Sequence, residues 1–232
     1  MKGSVAVVWF RRDLRLEDHA ALYAAMKAHE QVLPVFIFDS EILDELDSPY
    51  DPRVTFIHRR LADMKHRLEE LGSSLWMGYG KPLDVFSGLI RSFNVSAVYF
   101  NRDYEPYAKS RNELVTNYLA DHQIPVKTFR DQVIFEPWDI MKDDGTPYTV
   151  YTPYRKKWRK KLEEHVLGAH DIWNLPASFY RTAPFDMPSL ASMNFRTSSL
   201  PVPPAVIDEE VIRHYHENRD YPGVNGTSRL GV

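Results

Sequence analysis

Short apolar runs recur through the first 130 residues of the chain, separated by amphipathic stretches. Five runs are continuous enough for strands that are buried on both faces, at residues 5–10, 32–38, 75–77, 95–100 and 124–129. Strands and helices in alternation are typical of βαβ units. The sequence therefore predicts an α/β fold over residues 1–130, with an open parallel, Rossmann-like sheet and helices on both faces.

The stretches between these runs carry apolar residues at helical spacing. Asp18 is the predicted cap of the first helix. A longer helix is predicted to begin at Asp51-Pro52 and to stop at Gly72. Two further helices are predicted over about residues 84–93 and 107–121.

The pattern changes beyond residue 130. Loops that contain tryptophan and tyrosine come first, and residues 175–204 hold six prolines, which remove backbone donors. We predict an extended linker over residues 131–204, ordered by the aromatic side chains that it can bury. A last amphipathic helix is predicted over residues 205–218, with candidate anchors at Val206, Val211, Ile212 and Tyr215.

Composition narrows the class of protein. The 232 residues carry 29 Lys plus Arg against 32 Asp plus Glu, a net charge of −3, and no cysteine. The lack of cysteine excludes disulfides, thiolate metal sites and cysteine nucleophiles. No apolar run reaches the roughly 18 residues of a membrane span and no secretion signal is visible, so we expect a cytoplasmic protein. At this net charge, nucleic acid would have to meet a local basic patch.

The turn after the first predicted strand carries three arginines and three acids within residues 11–18. A dinucleotide-binding domain would place glycines here, so the sequence disfavours a nicotinamide dehydrogenase. We interpret the segment as a self-compensating ion-pair cluster that holds the turn, in preference to an anion site. Residues 78–81 lack the full pattern of a phosphate loop and are interpreted as a strand-to-helix turn. The nine histidines include no pair at metal-ligand spacing, and we predict no protein-held metal.

Residues 99–107 follow a predicted strand at the edge where open α/β sheets bind ligands. Asp103 and Glu105, flanked by aromatic residues, could accept hydrogen bonds from a flat heterocycle. They could equally form an acidic cap at the start of the next helix, and the residues alone leave both interpretations open. The one concentrated basic stretch, residues 154–161, is interpreted as a solvated helix face that pairs with the following acids Glu163 and Glu164.

Several motifs, in order and spacing, resemble the photolyase and cryptochrome family. Residues 8–18 are similar to the family's first-strand signature, and the similarity breaks at His19, where an asparagine is commoner. Other similar segments are residues 51–54, 101–107, 147–154, 219–222 and 226–230. The resemblance covers essentially the whole chain.

The resemblance implies an N-terminal α/β domain that holds an antenna chromophore, a linker, and a helical domain that holds FAD and binds damaged DNA. The chain would contain the first two and, over residues 205–232, the start of the third. Arg219 matches an arginine that contacts the DNA backbone. Gly231 stands where many members have a serine, which removes one hydroxyl contact. The residues implied to line the FAD are Tyr215, Thr227, Ser228, Arg229, Leu230 and Gly231.

The antenna differs between members of the family. Folate-binding members carry Asn-Glu at the positions of Tyr107 and Ala108, which cannot supply that amide and carboxylate. Residues 101–107 resemble instead the members that bind 8-hydroxy-5-deazaflavin or FMN. The residues implied to face this flavin-type antenna are Phe36, Arg53, Asp103 and Glu105.

The resemblance implies that the full-length protein is a deoxyribodipyrimidine photolyase, a light-driven lyase that repairs cyclobutane pyrimidine dimers. In such enzymes the antenna passes excitation to reduced FAD, which donates an electron to a dimer flipped out of the DNA. The cofactor carries the chemistry, so no residue of this chain is predicted to be catalytic and the 232 residues alone are expected to be inactive. The alternatives are a cryptochrome-type photoreceptor without repair activity and a free-standing chromophore module. We expect the reading frame to continue beyond Val232 into a helical FAD domain.

Overall fold

A parallel β-sheet forms the centre of the fold in the computed structural model, which describes residues 3–164, 168–175, 178–200 and 208–224. Its main strands are β1 (Val5–Phe10), β2 (Gln31–Asp39), β3 (Trp76–Gly80), β4 (Val95–Asn101) and β5 (Val126–Phe129). They are all parallel and follow the order β3-β2-β1-β4-β5. The five predicted strands are confirmed, with ends that differ by a few residues.

Helices cover both faces of this sheet, as predicted. Along the chain the helices are α1 (Ala20–Ala28), α2 (Ser40–Leu43), α3 (Pro52–Glu70), α4 (Pro82–Ser92), α5 (Pro106–Asp121) and α6 (Tyr151–Glu163). α6 has no buried residue and is not part of the cover of the sheet. Buried side chains of α1 and α3 pack on one face, and those of α4 and α5 pack on the other. Within the described ranges, no helix is both long enough and apolar enough to cross a bilayer.

The alternation along β1 shows why the sheet is buried on both sides. Val8 and Phe10 join the apolar cluster under α1 and α3, whereas Val7 and Trp9 join the cluster under α4 and α5. Successive side chains of a strand point to opposite faces. A strand in the middle of such a sheet must therefore be apolar at every position, which is the pattern seen in the sequence.

The predicted start of the first helix is wrong by one residue. Asp18 has a positive φ of 47°, and the N-cap is His19, whose side chain accepts from Leu22 N at 3.0 Å. The longer helix begins as predicted, because Asp51 accepts from the backbone of Arg53 at 2.8 Å. It ends before Gly72, whose φ of 76° suits a residue without a side chain.

The proline-rich segment contributes more regular structure than predicted. Ser178–Phe179 form a short strand, β6, parallel to β2, with Ser178 opposite Gln31. β3 pairs only with the second half of β2, so the first half leaves room for β6 on the same side. A 3-10 turn follows at Ala191–Met193, and Phe179 and Phe195 are buried in the core. Trp173, one of the aromatic residues that the sequence predicts the linker to bury, is instead 49% exposed.

The last described residues form two short helices in place of the single predicted one. They are α7 (Glu209–Arg213) and α8 (Tyr215–Asn218), separated at His214. The candidate anchors Val211 and Ile212 are half-buried and Tyr215 is 39% exposed. Val206 lies outside the described residues.

Candidate functional site

A cavity of about 410 Å³ opens at the carboxyl edge of the sheet. It lies between the ends of β1 and β2, the segment after β4, and helices α2, α3 and α5. Ligands of open α/β sheets bind at this edge, and pockets for small molecules commonly span about 300–1,000 Å³. We call it the edge cavity. Its lining residues are Trp9, Arg11, Arg12, Phe36, Ile37, Phe38, Asp39, Ile42, Leu43, Leu46, Arg53, Val54, Ile57, Asp103, Glu105, Tyr107, Ala108 and Arg111.

The edge cavity has an apolar part and a charged part. β2, α2 and α3 supply the apolar part, which includes Phe36, Ile42 and Ile57. The charged part contains four arginines and three carboxylates. An aromatic and aliphatic surface beside a small number of polar groups suits a flat ring that has one polar edge.

All four predicted antenna residues line this one cavity. Phe36 is buried in β2, and its ring meets Phe38 edge-on at 5.0 Å between centroids. Arg53 lies in the first turn of α3, with a side chain that is 71% exposed. The Asp51 carboxylate holds it at 2.7 Å, so the guanidinium is oriented but still open to solvent.

Asp103 and Glu105 meet at a shared arginine. Arg12 Nη1 lies 2.7 Å from Glu105 Oε1 and 3.7 Å from Asp103 Oδ1. Glu105 stands at the N-cap of α5, but its side chain makes no hydrogen bond to the helix. Asp103 Oδ1 accepts from Glu105 N at 3.3 Å. The two interpretations left open by the sequence are therefore compatible, because an acidic residue begins α5 and both carboxylates border the cavity.

A buried charge pair in the cavity was not predicted from the sequence. Arg111 Nη1 lies 3.4 Å from Asp39 Oδ2, and both side chains are less than 10% exposed. The Tyr107 hydroxyl donates to the same oxygen at 2.7 Å. Burial, and then this carboxylate, raise the pKa of Tyr107, which keeps the hydroxyl neutral. Asp39 ends a buried strand at the ligand-binding edge, and that position was the available signal; nothing in the sequence marks Arg111 within α5.

Two arginines flank the indole of Trp9. The guanidinium carbons of Arg11 and Arg111 lie 5.2 and 5.1 Å from its ring centroid. Burial, with the neighbouring charge of Arg111, lowers the pKa of Arg11 to about 10. Within the described chain, Trp9 Nε1 and Arg111 Nε are buried and have no hydrogen-bond partner. Unsatisfied buried donors are uncommon in folded proteins, so these two mark a place where a bound acceptor group would fit.

The cluster at residues 11–18 holds its turn through partners from other elements. Arg15 Nη2 lies 2.8 Å from Asp131 Oδ2, and Glu17 pairs with Arg67 of α3. Arg11 binds the side-chain oxygen of Asn112 at 2.6 Å. The expectation of a self-compensating cluster is wrong, because Arg12 and Arg15 form their ion pairs with acids outside residues 11–18.

The other predicted functional segments lie away from the edge cavity. Tyr215 is on α8, and Arg219 Nε lies 3.6 Å from Asp220 Oδ1 on an exposed surface. Lys157 and Lys161 of α6 pair with Asp143 and Asp139 at 2.9 and 3.0 Å, so the expected pairing with Glu163 and Glu164 is wrong. Thr227, Ser228, Arg229, Leu230 and Gly231 lie outside the described residues.

The fold and the cavity define a class of protein, the α/β domain with a ligand pocket at the carboxyl edge of a parallel sheet. The family model described as DNA photolyase matches residues 6–172. The chain belongs to the DNA photolyase family.

Known proteins extend this comparison. The chain is 33% identical to an uncharacterized 31.6 kDa protein of Synechococcus sp. PCC 6716, over 99% of the chain and 84% of that protein. It is 31% identical to a deoxyribodipyrimidine photo-lyase of Alkalihalophilus pseudofirmus, over 98% of the chain and 50% of that protein. A class III photolyase structure from Agrobacterium tumefaciens matches with a TM-score of 0.72 at 24% identity, over 99% of the chain and 49% of its own, and shows the fold. The chain thus spans about half the length of the photolyases that it matches.

Proposed function

We propose that the chain is the antenna portion of a deoxyribodipyrimidine photolyase, and that the edge cavity holds a flavin-type chromophore. The observation that carries the proposal is the composition of one cavity, in which an aromatic surface faces a polar edge of arginines and carboxylates. The relatives named deoxyribodipyrimidine photo-lyase support the same activity for the longer protein.

The residues of the cavity suit distinct parts of such a ring. Phe36 offers a buried aromatic surface for one face. Asp103 and Glu105 can accept from ring N–H groups, while Arg53 can donate to carbonyl oxygens. The unpartnered donors of Trp9 and Arg111 offer further hydrogen bonds. When bound, the chromophore would absorb near-ultraviolet or blue light and pass the excitation on, and these side chains would fix its orientation and exclude water.

A folate antenna fits this cavity less well than 8-hydroxy-5-deazaflavin or FMN. The Tyr107 hydroxyl is already bound to Asp39, and Ala108 is nearly buried and has no polar side-chain atom. Neither can replace the amide and carboxylate that the resemblance assigns to folate-binding members.

The proposed repair activity belongs to the longer photolyase of which this chain would be the antenna portion. A helical domain would bind FAD with the help of Tyr215, Thr227, Ser228, Arg229, Leu230 and Gly231. Arg219, which is more than half exposed, would contact the DNA backbone. The cytoplasmic location expected from the sequence stays a prediction.

Ligand titration tests the antenna proposal. 8-Hydroxy-5-deazaflavin, FMN and a folate are titrated separately into the purified chain, and binding is followed by fluorescence. We expect saturable binding of a flavin-type ring, with weaker binding in Asp103→Asn and Glu105→Gln. Asp121→Asn, an exposed change at the end of α5 and outside the cavity, is the matched control. Saturable binding of folate alone would contradict the proposal.

Photorepair tests the activity of the full-length protein. With FAD fully reduced, blue light should remove cyclobutane dimers from a DNA oligonucleotide. A cryptochrome-type photoreceptor would respond to light without removing dimers, so a lack of repair would reject the lyase.

A further inference from the structure

A second cleft, of about 300 Å³, adjoins the edge cavity at the carboxyl ends of β1 and β4. The two share Arg11, Arg12 and Asp103, so the same three side chains border both spaces. We call it the arginine cleft. The lining residues that matter below are Arg12, Arg15, Arg102, Asp13, Asp103 and Asp131.

The arginine cleft presents cations at its surface, although four arginines and three aspartates line it. The side chains of Arg12, Arg15 and Arg102 are 58%, 40% and 38% exposed. The corresponding values are 13% for Asp13, 9% for Asp103 and 6% for Asp131. The carboxylates therefore lie beneath the guanidinium groups, and a solute entering the cleft meets positive charge first.

The buried carboxylates orient these arginines without using all of their donors. Arg15 Nη2 contacts Asp131 Oδ2 at 2.8 Å and the Asp18 carbonyl at 2.6 Å. Arg102 contacts Glu136 Oε1 at 3.2 Å through Nη1 and the Thr128 carbonyl at 3.5 Å through Nη2. A guanidinium has five N–H donors, of which these contacts engage two in each arginine. Each arginine thus keeps donors for a further acceptor. Phosphate oxygens match the fork geometry of guanidinium groups.

We propose that the arginine cleft binds the phosphate group of a phosphorylated tail on the antenna chromophore. The inference rests on the proposed function and makes it more specific. It selects a flavin nucleotide such as FMN over a ring without phosphate. The ring would occupy the edge cavity and the tail would pass Arg12 to reach Arg15 and Arg102.

The test compares the dissociation constants of FMN and riboflavin, which share one ring and differ in the phosphate. We expect FMN to bind at least about tenfold more tightly at low salt, the scale of one charge-assisted hydrogen bond, with the advantage shrinking as salt is added. Arg15→Gln and Arg102→Gln should each reduce that ratio while leaving riboflavin affinity within about twofold, because neither residue lines the edge cavity. Arg67→Gln, a paired surface arginine outside both sites, is the matched control.

The outcomes separate the two proposals. Equal affinity of FMN and riboflavin would overturn the phosphate site and leave the flavin antenna standing, whereas no binding of either ring would overturn both. Inorganic phosphate should compete with FMN but not with riboflavin. If it instead binds alongside FMN without competition, the cleft holds a free anion and the tail assignment is wrong. Circular dichroism and thermal melting of each variant show whether a lost preference reflects unfolding, and a loss in only one of two folded arginine variants would also count against the proposal.

Discussion

His19 joins three parts of the chain at the start of α1, and its replacement is the sharpest test of the fold near the site. The imidazole is fully buried and lies 4.7 Å from the Phe10 ring between centroids. Nδ1 accepts from Leu22 N at 3.0 Å, and Nε2 lies 2.9 Å from Asp13 Oδ2. Because a backbone N–H can only donate, Nδ1 carries no proton and Nε2 donates to the carboxylate.

The expected cost of His19→Ala follows from these contacts. Leu22 N–H would be buried without an acceptor, which costs about 1–3 kcal/mol. Asp13 would lose one donor, and a hydrogen bond to a charged group contributes about 1.5–3 kcal/mol. We expect a total loss of about 3–5 kcal/mol in the free energy of unfolding. For a chain of this size, the melting temperature should fall by about 6–20 °C.

His19→Asn provides the matched comparison. Its amide keeps one acceptor for Leu22 N and one donor for Asp13, so we expect a loss of less than about 1.5 kcal/mol. His66→Ala, an exposed change on α3, should alter stability by no more than about 0.5 kcal/mol. Urea unfolding followed by circular dichroism measures all three. A cost below about 1 kcal/mol for His19→Ala, or equal costs for the alanine and asparagine variants, would refute the reasoning.

Two further predictions concern the sheet and the acid side of the stability profile. A Cβ at Gly78 would lie 2.5 Å from Val85 Cγ1, so Gly78→Ala should force α4 to shift and cost about 1–3 kcal/mol of unfolding free energy. A Cβ at Gly88 would have no atom within 4 Å, so Gly88→Ala should not destabilise the protein. Equal melting temperatures of the two variants would contradict this expectation. Burial raises the pKa of the Asp13 carboxyl, but its hydrogen bonds, first of all from His19, outweigh this and hold the pKa well below its usual range. Ionised Asp13 therefore adds stability that is complete above the unfolded-state pKa of about 3.9 and is lost as the pH falls through the lower folded-state pKa. The difference in unfolding free energy between wild type and Asp13→Asn should shrink as the pH is lowered from about 6 to below 3, and a constant difference would count against this assignment.

The local sequence was enough for the main strands and helices. The resemblance selected four residues that the fold brings to one cavity, and their antenna role stays a prediction. The run at 5–10 became β1 with the same ends, and α3 begins at Asp51-Pro52 as predicted. Local sequence patterns did not predict elements that form only by pairing with a strand distant along the chain. β6 has only two residues and forms because β2 offers an unpaired half-strand to a segment more than 140 residues away.

The sequence by itself determined the α/β class, because burial on two faces requires strands that are apolar at every position and burial on one face requires helices with a single apolar stripe. Only the tertiary structure decided the electrostatics of the site. Arg15 meets Asp131, and Arg111 meets Asp39, across separations of 116 and 72 residues. Charge pairing depends on distances of a few ångströms and on removal from water, and the packing of the sheet and helices sets both.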